Sequence, residues 1–267
     1  MKHQGIHGVE DAITGHAVLP HDQWIEARKE LLKREKELTA LSDEVNAARR
    51  ALPWEKVEKD YTFETLDGKR KLADLFGSKR QLIIYHFMLA PGWEEGCVGC
   101  SHFADQVEGP QQHFEQADVT FMCVSRAPLG EIGKFRARMG WKFAWVSSHG
   151  SDFNYDYKVS FTPEQVAAGC KEYNYGTSPY PFDELPGVSV FYKDEDGNVF
   201  HTYSAYARGL DVLIETHHFL DLTPKGRCET SPPPAQNWLR HHDKYESAED
   251  TSCCCGSGSK KEKEAVA

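Results

Sequence analysis

No stretch of the 267-residue chain approaches the roughly 20 consecutive apolar residues that a membrane span needs. The longest apolar run, Leu82 to Ala90, is interrupted by His86. The opening Met1-Lys2-His3-Gln4-Gly5 leads into no apolar segment, so no secretory signal is expected and a cytoplasmic location is. Basic residues are in deficit. Lys and Arg number 31 against 41 Asp and Glu, a net charge of −10. A chain without a basic surplus is a poor match for phosphate backbones, which argues against broad nucleic-acid binding. No internal repeat is visible. Cysteine is too dilute, and the chain too long, for a small disulfide-stapled scaffold.

What is present is a cysteine set with a pattern. The eight are Cys97, Cys100, Cys123, Cys170, Cys228, Cys253, Cys254 and Cys255. Two clusters stand out, a C-x-x-C and a terminal C-C-C. In a chain with no expected export signal, such spacing points to redox or metal chemistry.

The surroundings of the C-x-x-C give it a place. Residues 1–22 read as an irregular arm. Over 23–52 the pattern is helical, with Trp24, Leu31, Leu38, Val45 and Leu52 recurring every seven residues and Pro53 ending the run. A helix of this length is ~40 Å long. Its apolar row either lies across its own domain or forms the seam of a homodimer through residues 24–52. Residues 53–224 then alternate strand and helix, the mark of an α/β domain. A strand over Val57–Thr65 turns at Asp67-Gly68 into Lys69–Leu72. Buried strands follow at Gln81–Met88 and Asp118–Ser125, with a helix over Ser101–Ala117, kinked at Gly109-Pro110, between them. A helix over Leu129–Met139 and a strand over Phe143–Ser147 come next. Residues 149–186, rich in Tyr, Phe, Gly, Ser and Pro, read as an insertion. A second hairpin, Val188–Tyr192 with Val199–Ser204, turns at Asp196-Gly197, and Gly209–Leu220 is the last core helix. Residues 225–246 form a C-terminal extension. Residues 247–267, small, charged and poor in apolar side chains, are expected to be a disordered cysteine-containing tail.

Cys97-Val98-Gly99-Cys100 therefore follows a buried strand and opens a helix. A thiol at a helix N-terminus meets free N–H groups and a partial positive charge, which favour thiolate. Cys97 is accordingly the expected nucleophile. Cys100, one turn on, is the expected resolving thiol, able to attack a mixed disulfide formed at Cys97. Glu94 and Glu95, if they faced the sulfur, would oppose this activation. Trp93, Arg126 and His86 are candidates for substrate binding or tuning. Trp93 precedes the motif. Arg126 ends a strand, where open α/β sheets place their crevice. His86 lies on the strand that feeds the site and could accept a proton. Cys97 and Cys100 with His102 form an alternative ligand set for Cu or Zn, although neighbouring helical positions diverge. Cys123, in an apolar strand, reads as inert core. The terminal trio reads as dispensable tail, a soft-metal trap, a lipidation site or a partner in thiol exchange with the main site.

The order of elements around W-x-x-x-C-x-x-C resembles a thioredoxin fold. More closely, the chain is similar to the thioredoxin-like family catalogued as "domain of unknown function eight-nine-nine". The segments that carry the similarity are Leu52-Pro53-Trp54, Tyr85-His86-Phe87-Met88 through Cys97-Val98-Gly99-Cys100-Ser101, Val124 to Leu129, Met139-Gly140-Trp141, Ser151 to Asp156, and Pro186 to Phe191 continuing to Tyr206-Ala207-Arg208-Gly209. The resemblance spans about residues 20–245. It implies a central mixed sheet flanked by helices and a dithiol role needing no cofactor, with a disulfide-containing protein or a small thiol as substrate.

Two departures qualify the resemblance. Thioredoxins carry a cis-proline before the strand facing the C-x-x-C. The corresponding place here lies near Gly187-Val188, with Pro186 beside it, a departure that weighs toward metal binding and away from generic protein-disulfide reduction. Peroxiredoxins need Thr or Ser three residues before their reactive cysteine. Glu94 stands there, which argues against a peroxiredoxin mechanism.

Overall fold

The computed structural model describes residues 15–169, 171–178, 180–229 and 238–245. Most of the first arm, Cys170, Pro232-Pro233-Pro234 and the tail with Cys253 to Cys255 lie outside the described residues.

Among the described residues ten strands occur: β1 (Glu55–Lys56), β2 (Thr62–Thr65), β3 (Gly68–Lys71), β4 (Gln81–His86), β5 (Val119–Ser125), β6 (Ala144–Ser147), β7 (Lys171–Tyr173), β8 (Gly176–Ser178), β9 (Gly187–Lys193) and β10 (Val199–Tyr206). Eight form one sheet in the order β1-β10-β9-β4-β5-β6-β2-β3, and β7 pairs with β8 alone. Strands β4, β5 and β6 are parallel, while β9 runs antiparallel to β4 and β10 antiparallel to β9. The unit β5-β4-β9-β10 is built from a parallel pair joined through helices and an antiparallel hairpin. This is the thioredoxin-like arrangement, and the α/β fold class expected from sequence is the one seen.

The sheet separates two cores, because side chains alternate across a strand. On one face Tyr85, Phe87, Phe121 and Cys123 meet Cys100, Phe103 and Ala104 of the helix Val98–Ala104, and Ile132 and Phe135 of the helix Leu129–Arg138. On the other, Leu82, Ile84, Met122, Val124 and Phe191 meet the short 3-10 turn Leu72–Phe76 and Phe153. Both predicted hairpin turns are present, and Gly68 and Gly197 supply the positive φ (97° and 84°) that each turn needs.

Three local readings need correction. The single helix expected over Ser101–Ala117 is two, Val98–Ala104 and Gln111–Gln116. Pro110 lacks an N–H and disfavours helical backbone at Gly109, so the chain breaks rather than bends there. Of the strand expected over Val57–Thr65 only β2, Thr62–Thr65, forms, because residues 57–61 are irregular and β1 ends before them at Lys56. The last helix is divided into a 3-10 stretch, Ala207–Leu213, and the helix Glu215–Asp221. Residues 149–186 carry two short helices, Phe153–Asp156 and Pro163–Ala167, and the β7–β8 hairpin.

The long helix runs His21–Arg50 with no buried residue. Trp24, Leu31, Leu38, Val45 and Leu52 remain 46–66% exposed. Of the two readings of this row, a helix lying across its own domain is not what the structure shows. A strict heptad row is too narrow to cover a globular core and has the width of a helix–helix seam.

Candidate active site

Strand β4 leads into a tethered loop. The Phe87 N–H donates to Val124 O (2.9 Å), Ala127 N–H to Leu89 O (3.0 Å), and Cys97 N–H back to Met88 O (3.0 Å). Gly92 N–H donates to Glu131 Oε2 (3.0 Å). Gly96 leaves no free room for a side chain. A Cβ there would stand 2.5 Å from Phe87 and 2.7 Å from Phe135, both buried rings. The loop thus lies directly on the aromatic core, and its next residue, Cys97, caps the helix Val98–Ala104.

The two thiols differ in environment. Cys97 is partly exposed, whereas Cys100 is 1% exposed. The Cys97 thiol is lowered to about 7. The Cys100 S–H donating to it contributes most, burial opposes, and the backbone N–H groups of Cys100 and Gly99 add further donors. Burial, with Cys97 alongside, pushes the Cys100 thiol well up. An accessible thiol titrating near neutrality in front of a protonated buried one is the order that dithiol exchange requires.

Tyr85 is the residue that the sequence reading missed. Its ring stacks on Phe103 (centroids 3.9 Å, planes 16° apart), and its hydroxyl donates to the Cys100 sulfur, an interaction that opposes the effect of burial. A tyrosine on a buried strand carries no motif. Only strand alternation, which puts it on the Cys100 face, could have pointed to it.

The remaining candidates separate. Trp93 is half-buried against the same core that Cys97 packs on. His86, next to Tyr85, is on the opposite face, where its ring stacks with Phe153 (5.5 Å) and Tyr157 (6.0 Å). Its Nε2 bonds Ser189 Oγ at 2.9 Å. Ser189 Oγ then meets Ser204 Oγ (2.9 Å), which reaches His201 Nε2 (2.8 Å). Burial lowers His86 to about 3, so it is neutral. Arg126 is committed to the buried Glu184 through Nε, with Nη1 donating to Tyr155 Oη at 2.7 Å. Ser160 Oγ also donates to Glu184 (2.9 Å). Burial pushes the Glu184 carboxyl up to about 7 against the pull of Arg126. His102 turns toward His217 (5.4 Å) and Trp238 (6.1 Å). No group of three His, Cys, Asp or Glu side chains suited to a metal occurs among the described residues. Pro186 directly precedes β9, whose first residue pairs with His86. Cys123 is fully buried, and burial raises its thiol. A cleft of about 420 Å³ lined by Lys59, Tyr61, Tyr157 and His201 holds none of the candidate residues.

Glu95, two residues before the motif, is held by basic side chains. Glu95 is paired with Lys244 Nζ at 2.6 and 2.7 Å and with Arg138 Nη1 at 2.6 Å. These partners hold its carboxyl below its ordinary range, Lys244 more than Arg138. The C-terminal segment that brings Lys244 is strapped onto the loop. His241, 2% exposed, donates from Nε2 to Gly96 O at 2.9 Å. Asp243 takes two bonds from Arg138 (2.7 and 2.9 Å), and His242 Nδ1 meets Asp105 at 2.6 Å.

Residues 13–245 match the model of the family described as "Bacterial protein of unknown function (DUF899)". The chain belongs to that family. No curated protein matches the chain. Among solved structures, it is similar to the peroxidoxin BcpB of Mycobacterium tuberculosis at 15% identity and a TM-score of 0.40, over 61% of this chain and 94% of that one. It is also similar to peroxiredoxin Q of Xanthomonas campestris at 15% identity and a TM-score of 0.36, over 64% and 94%. A putative protein disulfide isomerase from Bacteroides thetaiotaomicron matches at 14% identity and a TM-score of 0.34, over 62% and 91%. Among the described residues no helix is long and apolar enough to cross a membrane.

Proposed function

We propose that the protein is a thiol–disulfide oxidoreductase that works through Cys97 and Cys100. The observation that carries this reading is the asymmetry of the pair: Cys97 is partly exposed and lowered to about 7, and Cys100 is buried behind it and raised. The Cys97 thiolate attacks one sulfur of a substrate disulfide, forming a mixed disulfide and releasing the other sulfur as a thiolate. Cys100, losing its proton, then attacks the Cys97 sulfur. The substrate leaves as its second thiol, and Cys97–Cys100 remains as a disulfide. Two electrons pass from the dithiol to the substrate, and a cellular thiol or dithiol restores the pair. No cofactor is needed. The substrate is a disulfide-containing protein or a small disulfide, and the compartment a reducing one, the cytoplasm.

Trp93, half-buried on the same core as Cys97, is the candidate for contact with substrate. Arg126 and His86 are not part of the reaction in this proposal. The alternative, Cu or Zn held by Cys97, Cys100 and His102, has less support because the His102 ring faces His217 and Trp238. A second copy of the chain is the partner proposed for the exposed row of the long helix.

Thiol trapping of the purified protein tests the reaction. Reversible formation of a Cys97–Cys100 disulfide, and loss of disulfide reduction in Cys97→Ser, are expected. Inert thiols, or undiminished reduction by Cys97→Ser, would overturn the assignment.

A further inference from the structure

The peptide that leads into Cys97 is held at both ends. Its N–H, on Cys97, donates to Met88 O (3.0 Å), and its carbonyl, on Gly96, accepts from His241 Nε2 (2.9 Å). The next peptide is held too: Cys97 O accepts from the Ser101 N–H and from the Ser101 hydroxyl, both at 2.9 Å. Met88 and Ser101 belong to the neighbourhood of the motif. His241 is 145 residues from Gly96 in the chain, is buried, and sets its ring edge-on to Phe135 (centroids 5.5 Å). The backbone of Cys97 is extended, with φ −55° and ψ 132°. A residue in that conformation at the head of a helix can turn its side chain back on the first free amides. The Cys97 sulfur does so: it takes the N–H groups of Gly99 and Cys100, and a Cβ on Gly99 would stand 3.8 Å from it. Gly96 is the weak point of this arrangement. The rings of Phe87 and Phe135 exclude a side chain there, and glycine restrains its own backbone least. His241 supplies the restraint from outside the motif.

The charges around His241 balance. Glu95 Oε2 lies 3.5 Å from His241 Nδ1 and is paired with Lys244 and Arg138, and Arg138 also holds Asp243. Two acids thus meet two bases, which leaves the hydrogen bond to Gly96 as the contribution particular to His241. We propose that His241 is a positioning residue of the dithiol. By holding the Gly96 carbonyl it keeps the Cys97 sulfur on the amides of Gly99 and Cys100, so the docked segment 238–245 sets the reactivity of the exposed thiol. This rests on the dithiol reading above.

Two substitutions that fill the same buried space test this. His241→Leu has no donor, whereas His241→Gln carries one on a side-chain amide that can reach Gly96 O. Each full-length variant is kept reduced and alkylated with iodoacetamide across a range of pH, and modification of Cys97 is followed by mass spectrometry. In His241→Leu the midpoint of the profile should rise by about half a pH unit or more, because the sulfur loses part of its hold on the amides. In His241→Gln the midpoint should match that of the parent. A role in packing alone predicts a lower denaturation midpoint in both variants and an unmoved alkylation profile. An unmoved profile in folded His241→Leu would overturn the proposal, as would an equal rise in the two variants. His241→Met takes the place of the leucine variant should that one fail to fold. Either overturning result leaves the dithiol reading standing when the parent forms a reversible Cys97–Cys100 disulfide. A parent whose two thiols stay inert would overturn both.

Discussion

Tyr85 and His86 are neighbours in β4 and serve opposite faces of the sheet. The Tyr85 hydroxyl meets the buried Cys100 thiol, while His86 is bonded to Ser189 and stacked on Phe153 behind the sheet. The alternation of a strand therefore decides which of two plausible residues can take part in the chemistry.

Replacing the hydroxyl tests the first half of that relationship. Tyr85→Phe keeps the ring stacked on Phe103 but removes the donor to the Cys100 sulfur. A hydrogen bond to a charged group is worth about 1.5–3 kcal/mol, and half of that is enough to slow the resolving step by roughly threefold to tenfold. Substrate mixed disulfide at Cys97 should accumulate in acid-quenched samples, with the first attack unchanged.

The second half predicts the opposite result. His86→Ala should lower stability by about 2–4 kcal/mol, because it empties a buried site and removes one of the two side-chain hydrogen-bond partners of Ser189. The pH dependence of Cys97 alkylation in the folded variant should match that of the parent. A denaturation curve and an iodoacetamide rate profile measure the two effects separately.

Reactivity should follow the titration of Cys97. The thiol is lowered from the ordinary 9.0 to about 7, so the alkylation rate rises through pH 7 and levels off above it. Below the midpoint it falls about tenfold per pH unit. Because the folded value lies below the unfolded one, the stability this group contributes is complete above pH 9 and is lost as pH falls through 7. Cys100 should stay unmodified until the protein is unfolded.

Gly96→Ala should strike the loop through the core. The added methyl would sit inside contact distance of Phe87 and Phe135, neither of which is exposed enough to swing away. A loss of about 1–3 kcal/mol is expected, read as a lower denaturation midpoint.

The exposed heptad row predicts a dimer. The full chain should sediment as a dimer, and a variant lacking residues 1–52 as a monomer with its dithiol intact. Glu replacing Leu38, the most exposed member of the row, should have the same effect without truncation. A full-length monomer would remove this reading.

Residue types and spacing were enough to place the C-x-x-C after a buried strand and at the head of a helix. They also located both hairpin turns, through Gly68 and Gly197, while the thioredoxin-like fold was implied by the family resemblance. These are local matters: apolar period, turn chemistry and chain order express themselves within a few residues. Side-chain partnership across the sheet does not. Sequence treated His86 and Arg126 as equal companions of Cys97, yet strand alternation turned one away and the buried Glu184 engaged the other.

The amino-acid sequence by itself determined the dithiol, its place in the fold and the exposed apolar row on the long helix. Only the tertiary structure decided which thiol is accessible, which tyrosine stands behind it, and that Lys244 and Arg138 hold the carboxylate beside it. The physical reason is distance along the chain. Glu95 and Lys244 are 149 residues apart and 2.6 Å apart in space, and neither local propensity nor motif spacing encodes such a pairing.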